Sequence, residues 1–154
     1  MPAFVDNMGR TWTVSITYGT IRRVRELLGI NLAEPQQGEP PLLTRLGTDV
    51  MLLCDVIFAL IRPQAEQQGV DDEQWAAAMG GEAILAAHDA FYEALEAFFR
   101  DAGRLDLAKA VRKQLTMIQL SVKASERRVE RFDPESEVEQ IFGDWDTSSQ
   151  QSPE

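Results

Sequence analysis

The chain has 154 residues, 44% of them apolar, and a formal charge of −10. That length holds one domain of ordinary size, able to bury about 68–70% of its unfolded surface without disulfide support. The acidic total argues against a general nucleic-acid binder, which needs a net basic surface, and the single cysteine, Cys54, excludes an internal disulfide and fits a reducing cytosol.

Taken in order, residues 3–17 predict a β-hairpin. Trp12, Val14 and Ile16 alternate with Thr11, Thr13, Ser15 and Thr17, the period of a half-buried strand. Asp6-Asn7-Met8-Gly9 supplies the turn and Ala3–Val5 the short partner strand. A lone hairpin is marginal in water, so its apolar face has to pack on helices. The first helix is expected from about Tyr18 to Leu28, capped by Thr17, with Ile21, Val24, Leu27 and Leu28 on one face and Gly29 at its end. Residues 30–41 read as a loop, and Pro41 opens a short helix through Gly47.

A helix from about Asp49 to Arg62 follows, capped by Thr48 or Asp49. It is apolar nearly all round and is therefore expected at the centre, and Pro63, which lacks an amide proton, is expected to end or kink it. Its apolar run, Val50 to Ile61, is 12 residues long and contains Asp55, short of the about 20 a membrane span requires. The N-terminus has no basic start leading into an apolar core, so no secretory signal is read there, and a cytoplasmic protein is expected. Asp71 starts a short helix bearing Trp75 and Met79, stopped by Gly80-Gly81. Glu82 to Ala102 is an amphipathic helix whose stripe is Ile84, His88, Phe91, Leu95 and Phe98, widened by Tyr92 and Phe99.

Beyond Gly103, a long helix is predicted from about Leu105 to Arg131. Val111, Leu115, Ile118, Val122, Ser125, Val129 and Phe132 recur in steps of four and three, a coiled-coil-like seam broken by one polar position. From Asp133 the chain is acidic and polar and is expected to be disordered. The expected fold is thus mainly α: a hairpin plus helical core (1–103), a long basic helix packed on or extending from it (104–132), and an acidic disordered tail (133–154). Charge follows these divisions, with nets of −8, +5 and −7. The tail could fold back on the basic helix, or both could await partners.

No arrangement of catalytic or metal-binding residues is visible. His88 stands alone on an apolar helix face with Asp89 about 100° away, and it reads as a packed core residue. One His and one Cys do not make a zinc site. Cys54 has no cation beside it to stabilise a thiolate and reads as a buried structural residue. Asp55, a costly residue to bury, is expected to face the surface or meet Arg22, Arg23 or Arg62. Asp71-Asp72-Glu73 reads as first-turn helix charge rather than a calcium loop. Arg22, Arg23 and Arg25 lack a Gly-rich loop and read as a solvated face. Lys109, Arg112, Lys113, Lys123, Arg127, Arg128 and Arg131 form a stronger basic patch, suited to a polyanion or to the chain's own tail. No cofactor is implied. The candidate partner-binding residues are Val111, Leu115, Ile118, Val122 and Val129 on the seam, and Val138, Ile141, Phe142 and Trp145 in the tail, spaced about one helical turn apart. The tail anchors could equally dock on their own domain.

As an ordered set, GRTWTVSITYGTIRRVRELLGINL followed by LLCDVIFALIRPQAEQQGVDDEQWAAAMGGEAILAAHDAFYEALEAFF resembles small tail assembly chaperones of long-tailed bacteriophages and prophages, over roughly residues 4–99. The resemblance implies a non-enzymatic role in the host cytoplasm: binding the long, helical, apolar tape measure protein and keeping it soluble while tail-tube subunits assemble around it. It also implies absence from the finished virion, and it carries over no recognition motif. The alternatives are a structural or adaptor protein, such as a tail component or a module self-associating through the seam, and a nucleic-acid-associated regulator using helix 104–131, which the acidic total and the missing groove-reading motif disfavour.

Overall fold

The hairpin forms where the alternation places it. In the computed structural model, which describes residues 1–130, β1 (Ala3–Val5) and β2 (Thr11–Thr13) pair antiparallel with Phe4 opposite Trp12. Both side chains are buried, as is Val14. Asp6 holds the turn from inside: one carboxylate oxygen accepts from the Met8 and Arg10 amides at 2.9 and 3.0 Å, the other from Arg10 Nε at 2.8 Å and Trp12 Nε1 at 3.0 Å. Burial pushes the Asp6 pKa up, but hydrogen bonds from Trp12, Arg10 and the two amides outweigh it and leave the carboxyl below its ordinary value. Asn7 then ties the turn to the segment 78–80, its amide donating to the Ala78 carbonyl at 2.9 Å and its Nδ2 to that of Gly80 at 3.2 Å.

Helix α1 (Tyr18–Leu28) begins at a capping box in which Thr17 and Thr20 each bond the other's amide, and it ends at Gly29 with φ 70°. Its buried stripe is narrower than the sequence predicts. Ile21 and Val24 are buried, whereas Leu27 and Leu28 in the last turn are exposed; the turn at Gly29 brings Ile30 and Leu32 inward in their place. After α2 (Leu42–Thr48), Asp49 caps α3 (Val50–Gln68) by accepting from the Leu52 amide at 3.1 Å. Helix α3 packs against α1, α2, β2 and α5, and buries Leu53, Val56, Ile57, Leu60 and Ile61.

Of the two outcomes expected at Pro63, an end or a kink, the end does not occur: α3 continues past Arg62 and through Pro63 to Gln68. Proline removes one amide and hence one bond, to the Ala59 carbonyl. The turn beyond it is held by the burial of Ala65 and by Gln64, whose side-chain amide pairs with β2: Oε1 accepts from the Thr13 amide at 2.9 Å and Nε2 donates to the Thr13 carbonyl at 2.7 Å. Gln64 therefore extends the hairpin as a third-strand surrogate. Gln64→Ala should cost about 1–2 kcal/mol in urea unfolding, because Thr13 then loses both partners at a half-buried edge. The end of α3 is a Schellman turn at Gly69 (φ 69°), with the Gly69 amide on the Glu66 carbonyl and that of buried Val70 on Ala65.

Helix α4 (Asp72–Ala77) starts at an Asp71–Gln74 capping box and buries Trp75. Helix α5 (Glu82–Asp101) buries Phe91, Tyr92, Leu95 and Phe99, with a second line of Ala83, Ala87, Ala90 and Ala94, and packs on β1 and α3. Helix α6 spans Leu105–Glu130. The chain divides into two compact units inside this helix, one of Met1–Ile118 and one from Gln119 onward. In the first unit, α6 buries Leu107, Ala108, Val111 and Leu115. Glu96 of α5 pairs with Arg112 and, at 2.7 Å, with Arg100; burial raises its pKa, and the hydrogen bonds and charges of the two arginines more than reverse the shift. The Gln114 side-chain amide lies over Gly47 of α2, where a Cβ would displace it. Among the described residues the fold is thus mainly α, with six helices, an N-terminal hairpin and a long C-terminal helix. The predicted disordered tail lies outside the described residues.

Candidate functional site

The seam of α6 is used in two ways. Val111 and Leu115 are packed into the core and Ile118 lies partly buried against it, so these three serve the protein's own fold. From Gln119 through Glu130 every residue is exposed except Val122, which is half-buried; Val129 is 73% exposed. Two further large apolar side chains, Met117 and Leu120, are exposed off the seam, on its far side by the 100° step of a helix. Interleaved with them are Lys123, Arg127 and Arg128. The open part of the seam is therefore Val122 and Val129. Val138, Ile141, Phe142 and Trp145 lie outside the described residues, as do Arg131 and Phe132.

A second candidate surface was not read from the sequence. Helices α3 and α4 and the start of α5 enclose a groove of about 420 Å³ within the first unit. Met51, Cys54 and Phe58 line it from α3, one turn apart, and Trp75, Met79 and Ile84 line it from the segments that follow. The Phe58 and Trp75 rings lie 5.3 Å apart at 44°. Met51 is 78% exposed and Val50 49%, at the start of a helix expected to be central. Asp55, Asp72 and Glu73 also line the groove, and all three are exposed. An adjoining groove of about 520 Å³ shares Phe58 and Asp72 and continues along α3 past Arg62 and Glu66 to Gly69. The spacings that build the first groove (Met51–Cys54–Phe58 and Trp75–Met79) are present in the sequence, but a helix apolar on all sides hides which face stays open.

The residues weighed for chemistry are dispersed. His88 is buried in α5, where burial lowers its pKa and the Asp89 charge only partly opposes the shift. Trp75 Nε1, His88 Nε2 and the Tyr92 hydroxyl are buried without a hydrogen-bond partner among the described residues, and burial pushes the Tyr92 pKa up. Cys54 is half-buried at the groove rather than sealed in the core. Burial, with the Asp55 charge, raises its pKa, away from thiolate reactivity. Asp55 faces solvent, Arg62 pairs with Glu66 at 3.4 Å, and Arg22 lies 3.9 Å from Glu26 and over the Tyr18 ring. Among the described residues no three His, Cys, Asp or Glu side chains converge as metal ligands, and no helix is long and apolar enough to cross a membrane. What the surface offers is apolar side chains with charge beside them, which suits contact with another chain. No protein-family model matches this sequence, and comparison with curated proteins and with solved structures finds no match.

Proposed function

We propose that this protein is a non-enzymatic tail assembly chaperone of a long-tailed bacteriophage or prophage, acting in the host cytoplasm on the tape measure protein and leaving before the virion is complete. The observation that carries the reading is the division of the α6 seam: Val111 and Leu115 are packed into the core, whereas Val129 is exposed and Val122 only half-buried, with Met117 and Leu120 exposed on the opposite side of the helix. Apolar side chains presented on a helix are what an apolar helical client needs, and a net charge of −10 keeps such a surface from precipitating. The ordered sequence resemblance over residues 4–99 supplies the client's identity.

Co-expression with a tape measure protein should raise that protein's soluble yield, and the double variant Val122→Asp/Val129→Asp should lose most of the gain while keeping the fold. Equal solubility with and without this chain rejects the proposal. The exposed seam also favours a second reading, a module that self-associates through α6. Light scattering of the protein alone distinguishes them: a defined oligomer lost on the same double substitution supports the module, and a monomer supports the chaperone.

A further inference from the structure

We infer that the groove between α3 and α4 is a docking site for a short amphipathic helix whose apolar anchors are flanked by lysine or arginine. Its lining is apolar and deformable: Met51 and Met79 line it together with the Phe58–Trp75 ring pair, and thioether side chains adapt to varied anchors. Val50 and Met51 stand exposed at its mouth, in the first turn of α3 just after the Asp49 cap. The charge of the groove selects the occupant. Asp55, Asp72 and Glu73 line it, and among the described residues no cation does, so an acidic helix is repelled and a basic-flanked one attracted. The face of α3 from Val50 to Phe58 is about 12 Å long at 1.5 Å per residue, room for two to three turns carrying anchors at i, i+3 or i+4, and i+7. Trp75, which lines the groove, is also buried with an indole N–H that has no hydrogen-bond partner among the described residues.

The inference deepens the proposed function by giving the chemistry of the client segment, and it rests on that function only for the client's identity. The test uses the full chain and two labelled synthetic peptides of about four helical turns, both with Leu at i, i+3, i+4 and i+7, one flanked by Lys and the other by Glu. Fluorescence anisotropy at low salt should favour the Lys peptide by about tenfold or more, with the preference shrinking as salt rises. The variant Asp55→Lys/Glu73→Lys should invert the preference. Met51→Ser should weaken both peptides by about tenfold with an unchanged circular dichroism spectrum, since Met51 is exposed. Equal binding of the two peptides, or a preference that survives charge reversal, overturns the inference. Displacement of the Lys peptide by a peptide of residues 105–130 from this chain, at matching affinity, reassigns the groove to a second copy and overturns it too. Selective peptide binding without rescue of a co-expressed tape measure protein rejects the chaperone reading alone, and rescue without peptide selectivity rejects the groove alone.

Discussion

Asp6→Ala should be among the most destabilising single substitutions in the chain, costing about 3 kcal/mol or more, because it strands a buried indole N–H, two turn amides and the Arg10 guanidinium at once. Against a total stability of about 5–15 kcal/mol, that loss is large, and calorimetry should show the melting temperature falling by about 10 °C. Asp6→Asn keeps an acceptor of the same shape but loses the charge that Arg10 pairs with, and should fall between the two. The same residue sets a pH dependence. The Asp6 pKa is lowered in the folded state, so the unfolded chain binds the proton more readily; the stabilisation is complete above the ordinary carboxylate value near pH 4 and is lost as pH falls through the lower folded value. Glu96 acts in the same direction through Arg112 and Arg100. His88 adds a loss that begins at higher pH: burial lowers its pKa, so below about pH 6.5 the unfolded chain takes up the proton and the fold weakens. Urea midpoints should therefore decline gently from pH 7 to 5 and steeply below 4, and Asp6→Asn should flatten the steep part.

The second large effect separates the two halves of α6. Leu115→Ala, in the core at 1% exposure, should cost about 3 kcal/mol, whereas Val129→Ala on the same seam should change stability by less than about 0.5 kcal/mol. Binding to a client should show the opposite ranking once Leu115→Ala is measured at a temperature where it remains folded. Comparable costs at the two sites in urea unfolding would mean that the seam is structural along its whole length.

Local chemistry made most of the fold readable. The hairpin followed from period-two alternation, and the helix ends from Thr17, Gly29, Asp49 and Asp71, whose capping and turn roles act within a few residues. The end of α3 was placed too early, at about Arg62, because the loss of one hydrogen bond at Pro63 is local, while the Gln64–Thr13 pairing that sustains the last turns comes from a residue distant in sequence. Asp6 was read only as a turn former; that it also receives the Trp12 indole depends on which way the paired strand faces. The candidate site was legible in part. The seam from Val111 to Val129 was visible as a repeat, but a repeat does not tell where the core stops covering it. The α3–α4 groove was present in the sequence only as the Met51–Cys54–Phe58 and Trp75–Met79 spacings, since a helix apolar nearly all round gives no sign of which side its neighbours leave bare.

The central claim, that exposed apolar side chains on this fold hold a helical client, is tested most directly by hydrogen exchange on the complex purified after co-expression with a tape measure protein. A stable complex is expected on a sizing column, with new amide protection in α6 beyond Ile118 and along the α3–α4 groove, and with the β1–β2 hairpin unchanged. No complex, or protection confined to the hairpin and α1, would contradict it.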